Sequence, residues 1–135
     1  MQLDKIEQII NVAGKTNFSI FELPREYDFA EILPNTYHLR ALEEKTGISI
    51  EQIRDLEQLV SAKQSSDFYV VVESPEKMSI GAINAFLKTL EEPRELVHII
   101  FLTNDSSALL PTILSRAHCF HIPSHNHIAD APEID

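Results

Sequence analysis

Phe68-Tyr69-Val70-Val71-Val72 and His98-Ile99-Ile100-Phe101-Leu102 are unbroken runs of aromatic and aliphatic, often β-branched, side chains. A strand wetted on one face alternates apolar with polar residues. A run without alternation needs cover on both faces, the environment of a parallel strand between two helical layers. The segment between the runs has helical period: Ser79 stands as N-cap, Ile80, Ile83, Leu87 and Leu90 share one face, and Pro93 stops the helix.

The flanking sequence repeats this alternation. Leu3, Ile6, Ile9, Ile10 and Ala13 recur at helical spacing and Gly14 stands where that helix would end. Residues 18–23, ended by Pro24, read as a strand. The stretch from Pro24 to Pro34 has little pattern beyond room for one helical turn, and Thr36 to Leu39 is a weaker strand candidate. Ser49-Ile50-Glu51-Gln52 has capping-box spacing, with Ile48 and Ile53 placed for a hydrophobic staple, and Ile50, Ile53, Leu56, Leu59 and Val60 continue the apolar stripe. Pro111 suits the first turn of a short helix ending near Arg116, and residues 119–122 read as a last strand. Five strands alternating with helices predict an α/β fold, a parallel sheet covered on both faces. The domain runs over residues 1–122, and the aperiodic polar stretch 123–135 reads as a flexible C-terminal tail.

Composition narrows the function. The 135 residues, 44% of them apolar, suffice for one core without disulfide or metal. A formal charge of -10 is the wrong sign for a surface that binds nucleic acid by itself, because affinity for phosphate backbones comes from Lys and Arg displacing counterions. The single Cys119 excludes an internal disulfide and multi-cysteine zinc patterns and fits a reducing cytoplasm. With no run of 18 apolar residues and acidic residues inside the first apolar stretch, the chain reads as soluble and intracellular, without membrane span or signal peptide.

Two longer motifs carry a family resemblance. Leu87-Lys88-Thr89-Leu90-Glu91-Glu92-Pro93 resembles the signature helix of bacterial clamp-loader subunits. Leu109-Leu110-Pro111-Thr112-Ile113-Leu114-Ser115-Arg116 resembles their LLPTI-x-SRC segment, with Ala117 where Cys is usual. The resemblance is clear over about residues 48–122 and is strongest to the delta-prime branch of these DNA polymerase III holoenzyme subunits, whose members often lack a working nucleotide site. It implies an AAA+/P-loop NTPase-like core with strand order 5-1-4-3-2, and a role in DNA replication. The helical lid and collar that follow this core in the family are not among these residues, so the chain is expected to be either an excised domain or a naturally shortened protein.

An ATPase of this family needs G-x-x-x-x-G-K-[ST] directly after the first strand, where glycines let backbone N–H groups wrap the phosphates and Lys reaches the outer ones. The sequence there, PREYDFAEILP, has neither Gly nor Lys. Ala13-Gly14-Lys15-Thr16 contains the GKT ending, but five residues before Gly14 stands Ile9 and the fragment precedes the strand; it reads as a helix C-cap and turn. The family's Walker B Asp-Glu pair falls on Glu73 and Ser74; Ser74 cannot polarise water as a carboxylate would, and Glu73 reads as a solvated strand-end carboxylate. Thr103 and Asn104 occupy the sensor 1 position, with a turn-capping role into Ser106 and Ser107 as the alternative. The expectation is a non-hydrolysing chain with no cofactor.

Arg116 differs, because the Arg of the family's SRC motif serves a neighbouring subunit's ATP site and its owner need not bind nucleotide. Arg116 is a candidate trans arginine finger, with Ser115 beside it; the alternative is an Arg favoured by the dipole at a short helix's C-terminus. Lys88, Glu91 and Glu92 are candidate partner contacts, or the solvated face of an amphipathic helix with Lys88 and Glu92 four residues apart. His118, Cys119, His121, His125 and His127 cluster in sequence, but their spacing fits adventitious metal binding better than a built site, and no metal is expected.

These readings predict a delta-prime-like scaffold in a clamp loader. Its partners would be other loader subunits, with the sliding clamp and primer-template DNA met only through the assembly. The alternative is a stand-alone protein-interaction module that keeps the fold outside a clamp loader.

Overall fold

The computed structural model describes residues 2–24, 36–42, 47–122 and 133–134. Five parallel strands, β1 (Phe18–Glu22), β2 (Thr36–Leu39), β3 (Phe68–Glu73), β4 (Val97–Thr103) and β5 (His118–His121), lie in the order β2-β3-β4-β1-β5. This is the expected order read from the opposite edge. A two-residue strand, β6 (Glu133–Ile134), pairs antiparallel with Phe120 and His121 and extends the β5 edge. It comes from the stretch expected as tail, where no periodicity marks it. The helical turn expected between Pro24 and Pro34 lies outside the described residues.

Alternation along the strands divides the core between two faces. Phe18 and Ile20 of β1, Val70 and Val72 of β3, and Val97, Ile99 and Phe101 of β4 pack with α2 (Ile50–Ser61), α3 (Ile80–Glu91) and α4 (Pro111–Leu114). Phe21, Val71, Ile100 and Phe120 pack on the other face with Ile9 and Ala13 of α1 (Gln2–Ala13). Phe101 meets Phe18 edge-on at 4.8 Å, and Phe21 stacks on Phe120 at 4.9 Å. Central strands covered on both sides leave no polar face, which is why β3 and β4 read as continuous apolar runs.

Local signals set the helix ends. Ser49 Oγ accepts the Gln52 N–H at 3.3 Å and Gln52 Oε1 accepts the Ser49 N–H at 3.0 Å, completing the capping box of α2. Ile48 and Ile53 are both fully buried in one cluster, consistent with a staple. Ser79 Oγ accepts the Ala82 N–H at 3.1 Å and starts α3. The buried face of α3 is Ala82, Phe86 and Leu90, whereas Ile80 is 81% exposed. That corrects the stripe expected to begin at Ile80: at about 100° per residue, Ile80 lies roughly 160° round the helix from Ala82 and 120° from Phe86, the middle of the buried face.

At the end of α1, the Gly14, Lys15 and Thr16 N–H groups bond to the Ile10, Val12 and Ala13 carbonyls. The GKT fragment is a helix terminus and turn, as its position ahead of β1 implied. Nearby, His98 of β4 is 7% exposed, its Nδ1 2.8 Å from the Thr16 carbonyl and its Nε2 2.8 Å from Asp67 Oδ1. Its ring stacks on Tyr69 at 4.9 Å. This contact joins the entrances to β1, β3 and β4 at the sheet's N-terminal edge.

Candidate functional site

Helices return antiparallel to the strands, so the strands' two ends gather different residues. At the C-terminal edge, where an AAA+ core would seat phosphates, β1, β3 and β4 end in Glu22, Glu73 and Thr103. Glu73 does not stand free in solvent: its Oε2 lies 2.8 Å from His38 Nε2 of β2, and the His38 side chain is only 8% exposed. Ser74 follows with φ 54° and ψ 60°, a left-handed conformation that turns the chain into a short 3-10 turn at Pro75–Lys77.

Thr103 is fully buried. Its hydroxyl donates to Glu76 Oε1 at 3.0 Å, and its Oγ1 accepts the Asp105 N–H at 3.1 Å. Asp105, in turn, accepts the Ser107 N–H. The Asn104 amide donates to the Leu23 and Pro24 carbonyls at 3.0 and 3.2 Å, tying the end of β4 to the chain leaving β1. Glu22 accepts the Ser106 N–H at 3.0 Å and sits 3.2 Å from His121 Nδ1. Among the described residues most polar side chains of this edge are engaged with one another, His38 Nδ1 being buried without a partner, and the charges are mostly carboxylates. That field opposes a polyphosphate.

The N-terminal edge is arranged otherwise. β5 enters the sheet with His118 opposite Ser19, so Arg116, two residues earlier, stands at this edge, about 13 Å along the strands from the level of Glu73 and about 17 Å from that of Thr103. Arg116 Nη1 donates to the Thr112 carbonyl at 2.7 Å, and Nη2 to Glu91 Oε2 at 3.0 Å. Ser115 Oγ donates to the same Thr112 carbonyl at 3.1 Å. The Arg116 side chain is 34% exposed and that of Glu91 52%, so the pair is reachable from solvent.

Lys88 and Glu92 are exposed near the end of α3, on the rim of a groove of about 160 Å³ that also includes Glu57, Thr89 and Arg94. Thr89 Oγ1 donates to Glu57 Oε2 at 3.1 Å across the α2–α3 seam. The last turn of α3 and the end of α4 thus bring Lys88, Glu91, Glu92, Ser115 and Arg116 to one edge, and leave Glu73, Ser74, Thr103 and Asn104 at the other.

The pairings His38–Glu73, Thr103–Glu76 and Glu91–Arg116 join residues 25 or more positions apart, for which one sequence offers no signal. Of the histidine cluster, Cys119 packs against the core while His121 meets Glu22; His125 and His127 lie outside the described residues. Among the described residues no three His, Cys, Asp or Glu side chains are grouped to hold a metal. No helix among them is long and apolar enough to cross a membrane.

Residues 28–126 match the family described as "DNA polymerase III, delta subunit". The chain is 34% identical over 95 residues to DNA polymerase III subunit delta' of Haemophilus influenzae, covering 69% of this chain and 29% of that protein. It is 36% identical over 85 residues to the Pseudomonas aeruginosa subunit delta', covering 62% and 26% respectively. A crystal structure of a DNA polymerase III gamma subunit-related protein from Thermotoga maritima superposes with a TM-score of 0.71 at 25% identity, covering 95% of this chain and 48% of that one. The chain thus spans between a quarter and a half of the length of these relatives.

Proposed function

This chain belongs to the delta-prime-like family of DNA polymerase III clamp-loader subunits, and from that premise we propose that it is a non-hydrolysing scaffold of a clamp loader that lends Arg116 to a neighbouring subunit's ATP site. It would act in the cytoplasm, with other loader subunits as direct partners and the sliding clamp and primer-template DNA engaged through the assembly.

The observation that carries this reading is the separation of the two edges. Arg116 stands a strand's length from the place where its own chain would hold a nucleotide, so it can serve a phosphoryl group only if that group belongs to another chain. At that distance, direct attraction to charge at the chain's own C-terminal edge is also largely screened by physiological salt. An arginine's planar fork suits such a task because it neutralises and orients phosphoryl oxygens without titrating. The engaged carboxylates at the opposite edge, the missing glycines and lysine after β1, and Ser74 in the Walker B pair support the non-hydrolysing half of the proposal.

Affinity purification of the tagged native-length protein from its source cells tests the partnership. Co-recovery of the other loader subunits is expected; recovery of unrelated proteins alone would favour the stand-alone interaction module. In the reconstituted loader, Arg116→Ala should lower the ATPase kcat by roughly tenfold or more, a modest share of what trans arginines supply elsewhere. An unchanged rate would remove Arg116 from the chemistry.

A further inference from the structure

We propose that Glu91, at the end of the signature helix, is the positioning residue of Arg116: it holds the guanidinium in the attitude in which it meets the neighbour's phosphoryl group. The proposal rests on the trans reading of Arg116.

Arg116 belongs to the turn between α4 and β5, and a long exposed side chain there would normally sample many rotamers. Two tethers limit it. The Thr112 carbonyl, four residues earlier in α4, accepts from Nη1 at 2.7 Å. Glu91 Oε2, carried by a different helix, accepts from Nη2 at 3.0 Å. One tether would leave the fork free to swing about that bond; two, from different elements, fix its plane. Of the five N–H donors of a guanidinium, these contacts engage two, leaving three for an incoming oxyanion.

The location of Glu91 matters as much as its distance. It is the last residue of α3, whose Ala82, Phe86 and Leu90 are buried against the sheet, so its backbone is rigidly placed. Any shift of α3 across the sheet would carry the Glu91 carboxylate with it and re-aim the guanidinium. An exposed ion pair of this kind contributes little to folding. Its effect belongs to the geometry of Arg116, and misplacement of a transition-state group by an ångström is enough to slow a reaction.

The test uses the clamp loader reconstituted from the source cell's own subunits, with incorporation of each variant checked by gel filtration. Four forms are compared: wild type, Glu91→Ala, Arg116→Ala and the double variant. Glu91→Ala is expected to lower the ATPase kcat about two- to fivefold, the scale of one exposed ion pair, with the KM for ATP unchanged because the interaction acts in the transition state. In the Arg116→Ala background the same change should have no further effect, since Glu91 acts through Arg116.

If Arg116→Ala slows the loader while Glu91→Ala leaves it unchanged or faster, Glu91 does not position the arginine and this inference falls alone. An equal loss from Glu91→Ala in both backgrounds also overturns it, because a merely structural role is additive. If Arg116→Ala itself has no effect, the trans reading fails first and the inference with it.

Discussion

Gly47 and Gly81 look alike in the sequence and differ completely in what they permit. Gly47 has φ +64°, and a Cβ built on it would lie 2.1 Å from the Lys77 carbonyl oxygen, a backbone atom that cannot swing away. The same segment pairs Ile48 with Met78, so the close approach of the two backbones is part of the fold. Gly81 lies in the first turn of α3, where a Cβ would meet Ile50 at ordinary distances, its Cδ1 at 3.5 Å and its Cβ at 3.8 Å. Gly47→Ala should therefore destabilise the protein by about 2 kcal/mol or more, from the left-handed backbone alone plus the clash. Gly81→Ala should be neutral or stabilising by up to about 1 kcal/mol, the helix-propensity gain. Urea unfolding of both variants checks the contrast; equal effects would contradict the backbone geometry. Ser74 shows a related limit on reading residues singly. Its identity led to the expectation that it cannot serve Walker B chemistry, but its left-handed conformation and the capture of Glu73 by His38 are tertiary facts.

At the scale of elements, periodicity and caps located the helices and strands because each is a local property. Ser49 and Ser79 cap where their spacing implied, and β3 and β4 are buried on both faces as their unbroken runs required. The rotation of α3 was not legible, because Ala82 and Phe86 are as apolar as Ile80 and only the sheet decides which side is inside. Packing between elements also perturbs two phenols. Burial, and secondarily the Asp67 carboxylate, pushes the Tyr69 phenol above its ordinary pKa; burial and then Asp55 do the same for Tyr37. A raised folded-state pKa means that the unfolded chain loses its phenolic protons first. The stability held by the neutral phenols is therefore intact below the unfolded value of about 10 and is lost as pH rises through the folded values. The double variant Tyr37→Phe, Tyr69→Phe should show a shallower loss of stability above pH 10 than the parent, with no difference in slope between pH 7 and 9. Urea midpoints across that range measure it, and parallel alkaline slopes would show that the phenols are not the cause.

For the whole molecule, alternation of strand and helix implied a parallel sheet but not its strand order; the order came from the family motifs. Those motifs also drew attention to Arg116 and α3, while the partner of Arg116, Glu91, emerged only when the chain closed the 25 positions between them. The division into a C-terminal edge rich in engaged carboxylates and an N-terminal edge bearing Arg116 leads to a prediction about nucleotide. ATP carries several negative charges, and the usual compensation for holding them is a glycine-rich loop of convergent N–H groups, a lysine and a metal-binding carboxylate. The sequence from Pro24 to Pro34 supplies neither glycine nor lysine. Glu73 is paired with His38, and the hydroxyl of Thr103 is directed to Glu76. A net charge of -10 adds long-range repulsion. Titration of the isolated protein with Mg-ATP should therefore give no saturable binding tighter than about 1 mM, a dissociation constant at which only some 4 kcal/mol of association free energy is available. Saturation in the micromolar range would require several additional kcal/mol from contacts that the described residues of this edge do not offer, and would overturn the non-hydrolysing reading. The proposed trans role of Arg116 would survive that outcome, since it depends on the opposite edge of the sheet.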